Sequence, residues 1–169
     1  MIGRRQAMAG GAALGASLAG APGLAATPAG PMSGRASYDA YLAAFNARQI
    51  DTFTRFYADD VRMYLGGRAP IEGRQGIIAW YDTAWRYIEE HCTLRRFIMD
   101  ESGVAVELET EFRAIADWPD FPSGPFLTGD RLVRIGFGHY DLKDGYFSRV
   151  ATALHRVVEQ PSHWTKGAR

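Results

Sequence analysis

The sequence predicts an α+β fold: a curved antiparallel or mixed sheet with three N-terminal helices packed across its concave face. Two patterns predict it. Apolar residues recur at helical spacing in separate stripes through the first half of the chain, and alternate with polar residues at period two in the second half. Helices first and a run of antiparallel strands later place the helices on one side of one sheet, and the curve leaves a cone-shaped pocket between them. A third observation says where this fold begins: no aromatic residue precedes Tyr38, and no acidic residue precedes Asp39.

The first residues read as a leader. Residues 7–30 contain ten Ala and six Gly and no charge, so they bury too little apolar area to hold a helix in lipid. The apolar run is also shorter than the roughly 20 residues a membrane span needs. Arg4-Arg5 ahead of a weakly apolar run, then Pro22-Gly23 and small residues to Ala25, resembles a twin-arginine signal peptide. This implies cleavage after Ala25, passage of the folded protein through the twin-arginine export machinery, and a periplasmic or secreted product with no membrane attachment after processing. The single cysteine, Cys92, agrees: in an oxidising compartment this chain has no disulfide within itself, and burial must supply its stability. Residues 26–36 read as a Pro/Gly linker, 37–158 as one domain and 159–169 as a tail.

Within the domain, Ser37 is placed as an N-cap and Asp39 in the first turn of a helix whose stripe is Tyr38, Tyr41, Leu42 and Phe45. Asp51 caps a short second helix carrying Phe53, Phe56 and Tyr57. Val61–Leu65 is a short strand ended by Gly66-Gly67. Ile77, Tyr81, Ala84, Trp85 and Ile88 form the third stripe, predicting the longest helix. From Val104 the period is two: Val104, Val106, Leu108, Thr110 and Phe112 alternate with Glu107, Glu109, Glu111 and Arg113. Asp117–Phe126, rich in proline and aromatics, is a loop that reads either as a plain connection or as a rigid apolar flap over a pocket mouth. Leu127–Tyr140 and Tyr146–Val158 are strands joined by the polar turn Asp141–Gly145.

Charge excludes some partners. Without Arg4 and Arg5 the chain carries 17 basic against 19 acidic residues, which is neither a nucleic-acid footprint nor a polybasic membrane surface. The four histidines have no metal spacing, and G-x-G-x-x-G, P-loop and G-x-S-x-G patterns do not occur. No metal and no cofactor is expected.

Tyr41-Leu-Ala-Ala-Phe-Asn-Ala-Arg-Gln-Ile-Asp51, Phe56-Tyr-Ala-Asp-Asp60 and Ile71-Glu-Gly-Arg-Gln-Gly-Ile-Ile78 resemble the opening of the NTF2-like superfamily. That superfamily includes the SnoaL-like polyketide cyclases and the ketosteroid isomerases. Gly124–Asp130 and Asp144–Arg149 also fit, so the resemblance spans about residues 37–158. It implies the cone-shaped pocket, a small hydrophobic ring-containing ligand, and pairing of two copies through the outer face of the sheet. The strands of Phe137 and Phe147 offer apolar area for such a homodimer. Residue by residue, Tyr41 matches the first-helix tyrosine with which ketosteroid isomerases polarise a carbonyl, but their two acids fall near Leu65 and Gly136. His91 matches the histidine of the dehydratases of this fold, but the partner aspartate falls at Asn46. The Arg-x-Asp pair of the limonene-type epoxide hydrolases falls at Thr110 and Phe112.

His91 therefore has two readings, a helix-end residue favoured there by the dipole or a general acid or base facing the pocket. Tyr41 is its companion as the second catalytic candidate. Tyr64, Tyr81, Trp85 and Trp118 are candidate ligand contacts, or core, and Arg113 and Arg149 are candidate anion stabilisers. Glu107, Glu109 and Glu111 either face solvent, balanced by Arg134 and Arg149, or are buried carboxyls in the pocket, since alternation alone leaves the inward face open. Cys92 reads as a small core residue, and His139, His155 and His163 as surface. The functional expectation is a cofactor-independent lyase, isomerase or cyclase using acid–base chemistry. The alternative is an exported binding or accessory protein that uses the same pocket without chemistry.

Overall fold

The computed structural model describes residues 31–66 and 68–167; the expected leader, the first part of the linker and Gly67 lie outside them. The α+β class is borne out. Helix α1 (Arg35–Asn46) is followed by α2 (Ile50–Phe53), a 3-10 turn at Thr54–Phe56, strands β1 (Tyr57–Leu65) and β2 (Ile71–Glu72), and α3 (Gly73–Ala84). Four long strands complete the sheet: β3 (Ile88–Met99), β4 (Gly103–Ala114), β5 (Arg131–Lys143) and β6 (Tyr146–Glu159). The strand order is β2-β1-β6-β5-β4-β3, with β1 parallel to β6 and every other pairing antiparallel.

Helix α1 begins two residues before the expected cap. Gly34 is the N-cap, and Ser37, one turn in, accepts from the backbone N–H of Ser33 (2.9 Å) and Gly34 (3.1 Å). Ser37 thus serves the helix start from its third position, satisfying donors the helix cannot. Part of the expected linker belongs to the fold: Met32 is buried, and its N–H donates to the Gly145 carbonyl at 2.6 Å. The stripe of α1 packs Tyr38, Tyr41 and Phe45 against β4, β5 and β6 through Val104, Val106, Tyr140 and Phe147. Aromatic rings meet edge to face throughout this core, as their quadrupoles favour.

The sequence reading errs most around residue 88. The helix ends at Ala84, not Ile88, and residues 88–99 are a full strand that the apolar pattern did not predict. Ile88 is buried as the first residue of β3, where it satisfies a period of two as well as it satisfied 3.6. Two features hide the strand: Glu90 occupies an inward position, and the register shifts between Leu94 and Arg96. On β4 the alternation is as expected, with the glutamates on the outer face. Their partners differ from those expected: Glu109 pairs with Arg95, and Glu111 with Arg113 and Arg131. Beyond β6, Trp164 packs on Phe126 and donates its indole N–H to the Pro125 carbonyl at 2.7 Å, so this part of the expected tail is docked.

Candidate functional site

Helices α1 and α3 do not fill the inner face of the sheet. Between them and the strands lies a cavity of about 340 Å³, walled by aromatic and aliphatic side chains. The Asp117–Phe126 loop closes one side of it, with Trp118, Phe121 and Pro122 in the lining. This loop is fixed rather than loose. Trp118 and Phe126 form a two-bond bridge (2.7 and 3.0 Å), Trp118 stacks on Tyr87, and Asp117 accepts from the N–H and hydroxyl of Thr128.

Three charged side chains line this apolar space: Arg68, Glu90 and Arg134. Glu90 enters from β3 on the inward side, opposite Phe112 of β4. Burial drives its pKa up to about 7, against the opposing pull of Arg134 and Arg48. Its side chain lines this cavity and also borders a second, polar hollow, and the protein around it disfavours the charged form. Arg134, opposite Thr110, stands over the Phe112 ring at 4.6 Å. Cys92 sits beside them with its thiol 3.6 Å from the Thr110 hydroxyl, and burial pushes that thiol well up. That leaves the thiol protonated and inert as a nucleophile.

At the α1 side are four phenols. The hydroxyls of Tyr41 and Tyr57 are 2.7 Å apart, and those of Tyr38 and Tyr140 3.2 Å apart. Burial raises all of them; Tyr140 reaches about 12. Each pair of hydroxyls holds one more O–H than its single contact uses. One member of each pair, Tyr41 and Tyr140, lines the cavity.

Tyr41, Tyr81 and Trp118, among the residues singled out in the sequence, line this cavity. The other candidates lie elsewhere. His91 is exposed, because on a strand it points opposite to Glu90, and with Arg113 and Glu90 it borders the second, polar hollow of about 250 Å³. Its expected place at a helix end is therefore corrected. Arg113 pairs with Glu111 on the outer face, and Arg149 is exposed, over the Tyr64 ring at 5.2 Å and 3.6 Å from Asp141. Tyr64 is occupied by that stack, and Trp85 packs behind the cavity against Phe45, Phe53 and Tyr81. Arg134, read from the sequence as an outer partner of the glutamates, is the arginine that faces in. Leu132, Gly136 and Tyr140 share its phase, but Val133 and Ile135 on the opposite phase are buried too, so the strand's apolar pattern did not reveal it.

The family positions are also explained. Asn46 spends both ends of its amide on the edge of β3, accepting from the Cys92 N–H and donating to its carbonyl, each at 2.8 Å. It stitches α1 to an edge strand and holds no histidine. At Gly136 a side chain has no room, since a Cβ would lie 2.9 Å from the Ala153 carbonyl oxygen. Among the described residues no three His, Cys, Asp or Glu side chains converge where a metal ion would be held.

Comparison with known proteins agrees with this architecture. The family model of the SnoaL-like domain matches residues 38–150. A candidate polyketide cyclase from a Silicibacter species superimposes with a TM-score of 0.60 at 20% identity, covering 76% of this chain and 90% of that one. An LEH-like epoxide hydrolase of M. tuberculosis gives 0.56 at 16% identity, covering 69% and 78%. An NTF2-like protein of Burkholderia pseudomallei gives 0.55 at 16% identity, covering 68% and 84%. No curated protein matches the chain in sequence. At these identities the solved structures speak for the fold alone, which is NTF2-like.

Proposed function

The chain belongs to the SnoaL-like family, and from that premise we propose that it is a cofactor-independent lyase, isomerase or cyclase acting on a small hydrophobic ring-containing molecule. One observation carries the reading: a carboxyl with a pKa of about 7 shares an apolar cavity with a tyrosine whose hydroxyl pair has a spare O–H. A group balanced near neutrality both takes and returns a proton at working pH. Ionised Glu90 removes a proton from the carbon beside a ring carbonyl, and the electron pair moves to the carbonyl oxygen. The Tyr41 hydroxyl donates a hydrogen bond to that oxygen, and Arg134 offsets its charge. Return of the proton from Glu90 to another carbon gives an isomerase. Loss of a β-substituent gives a lyase, and attack of the enolate carbon on a second carbonyl gives a cyclase. His91, which matches the family histidine, does not line this cavity, and the base is assigned to its neighbour.

Exchange of the acidic C–H protons of 2-tetralone for deuterium in D2O, followed by NMR, tests this without knowledge of the natural substrate. The protein should accelerate the exchange above buffer, and Glu90→Gln should remove the acceleration while His91→Ala leaves it within a few-fold. Exchange at the buffer rate with 2-tetralone demonstrably bound would sink the acid–base reading. It would favour the second reading, a binding or accessory protein, which draws on the absence of acids at Leu65 and Gly136 and of the dyad at Asn46.

The export reading is part of the same proposal. Changing Arg4 and Arg5 together to lysine should leave unprocessed precursor in the cytoplasm; normal export and processing near Ala25 would refute it. So is the homodimer. Phe147 is wholly buried in the core and contributes nothing to such a surface, but Phe137, Leu154, Val157 and Val158 are exposed on β5 and β6. Sedimentation at micromolar concentration should give twice the chain mass, and a monomer would remove the claim.

A further inference from the structure

We propose that the molecule this cavity takes is an anion: a planar ring system whose carboxylate or acidic enol oxygen is held by Arg134. The inference rests on the cavity being the ligand site and adds the class of its ligand. Seven of the described arginines pair with carboxylates, among them Arg35 with Asp39, Arg62 with Glu72, Arg95 with Glu109 and Arg131 with Glu111, and none of the seven lines the cavity. The two that line it form no ion pair among the described residues. Arg68 lies over the Trp80 ring at 5.4 Å, and Arg134 lies over Phe112 at 4.6 Å. A guanidinium seated on a ring face keeps its N–H fork available, and that fork matches two oxygens of a carboxylate or of an ionised 1,3-dicarbonyl.

Charge counting points the same way. Two cations and one carboxyl, Glu90, line the space, so it is positive whether or not Glu90 is ionised. The chain without its first two arginines carries an acidic excess, 17 basic against 19 acidic residues, so this positive charge is local to the cavity. Flat rings line the same space, Phe112 by the Arg134 guanidinium, Trp80 by that of Arg68, and Trp118 from the loop, and they suit a planar ligand. Glu90, with its pKa raised to about 7, is mostly neutral at pH 6.0 and does not oppose an anion there, while near neutrality enough of it stays ionised to act as the base.

Calorimetric titration at pH 6.0 tests this with matched rings: 2-naphthoate against 2-naphthamide, and 2-hydroxy-1,4-naphthoquinone against 1,4-naphthoquinone. The ionised member of at least one pair should bind ten-fold or more tighter than its neutral partner, and the pair that shows it tells carboxylate from enol. In Arg134→Met that preference should fall to two- or three-fold, while the neutral ring still binds and shows the variant is folded. If Arg134→Met fails to fold, Arg134→Lys, which keeps the charge but loses the fork, should keep part of the preference. Equal binding of charged and neutral rings, or a preference that survives in Arg134→Met, would overturn the inference while leaving the cavity a ligand site. If no ring binds, the inference falls together with the reading of the cavity. Exchange of 2-tetralone that persists without any preference for anions would separate the two.

Discussion

Glu90→Gln should be almost inactive and, at pH 8, harder to unfold than the wild type. Both effects have one cause. Burial raises the Glu90 pKa from an ordinary 4.5 to about 7, so the folded protein holds that proton more tightly than the unfolded chain does. The sign follows from linkage. Between pH 4.5 and 7 the folded state binds more protons, and stability falls as pH rises through this window. Below about pH 4.5 the carboxyl is neutral in both states and costs nothing electrostatic. Above pH 7 it is charged in both, and the cavity carries the full burden of a poorly solvated charge, at most about 3 kcal/mol for a shift of this size. Glutamine keeps the shape and removes the charge. The variant should therefore melt several degrees above wild type at pH 8 and close to it at pH 4.5. Turnover, or deuterium exchange into 2-tetralone, should drop about 10²–10⁴-fold, the usual worth of a positioned acid or base. A structural carboxylate would behave in the opposite way, losing stability on neutralisation. Equal melting temperatures at pH 8, or a loss of stability there, would show that Glu90 is not the strained group described.

That Glu90 escaped the sequence reading while the fold did not has a physical reason. The fold is written in repeated features, such as the Tyr38–Phe45 stripe of α1 and the alternation of Val104–Phe112, where many residues agree and one exception does not matter. The site is written in the exceptions. Glu90 is a carboxyl at an inward position of a strand, so it breaks the apolar alternation that would have revealed β3. Without the strand, the helix ran on to Ile88, and His91 was set at a helix end instead of on an outer face. The phase of one residue decides between His91 and Glu90, and only the pairing of Glu90 with Phe112 fixes it. The same parity misplaced Arg134, because Val133 and Ile135 on the opposite phase of its strand are buried as well as Leu132 and Tyr140. Arg113 and Arg149, by contrast, face outward to Glu111 and Asp141. Tyr41 was legible because a single stripe placed it, and because its match to the family tyrosine rests on several neighbours at once. Its partner Tyr57 was not, since contact between a helix and the start of a strand leaves no periodic trace.

That partnership sets the second large effect. Tyr41→Phe should lose activity out of proportion to its loss of stability, and a second substitution separates the two. In wild type the Tyr41 and Tyr57 hydroxyls share a hydrogen bond of 2.7 Å inside the buried core. Removing one leaves the Tyr57 hydroxyl buried without that partner, a penalty of about 1–3 kcal/mol. Removing both, in Tyr41→Phe with Tyr57→Phe, leaves no orphan and keeps the edge-to-face packing of the two rings at 6.0 Å. The double variant should therefore recover much of the lost stability. Activity should not follow it. If the pair polarises a ring carbonyl through Tyr41, its loss removes an oxyanion donor, worth about 10²–10³-fold in turnover. That loss should be as large in the double variant as in the single one. Tyr57→Phe alone is the informative control, because it keeps the Tyr41 hydroxyl at the cavity and should cost less turnover than Tyr41→Phe for a similar loss of stability. Thermal melts and 2-tetralone exchange on the three variants provide the test. Activity that rises and falls with melting temperature across the set would reduce the tyrosine pair to packing. Activity that stays low in the stable double variant would make Tyr41 the group that touches the substrate.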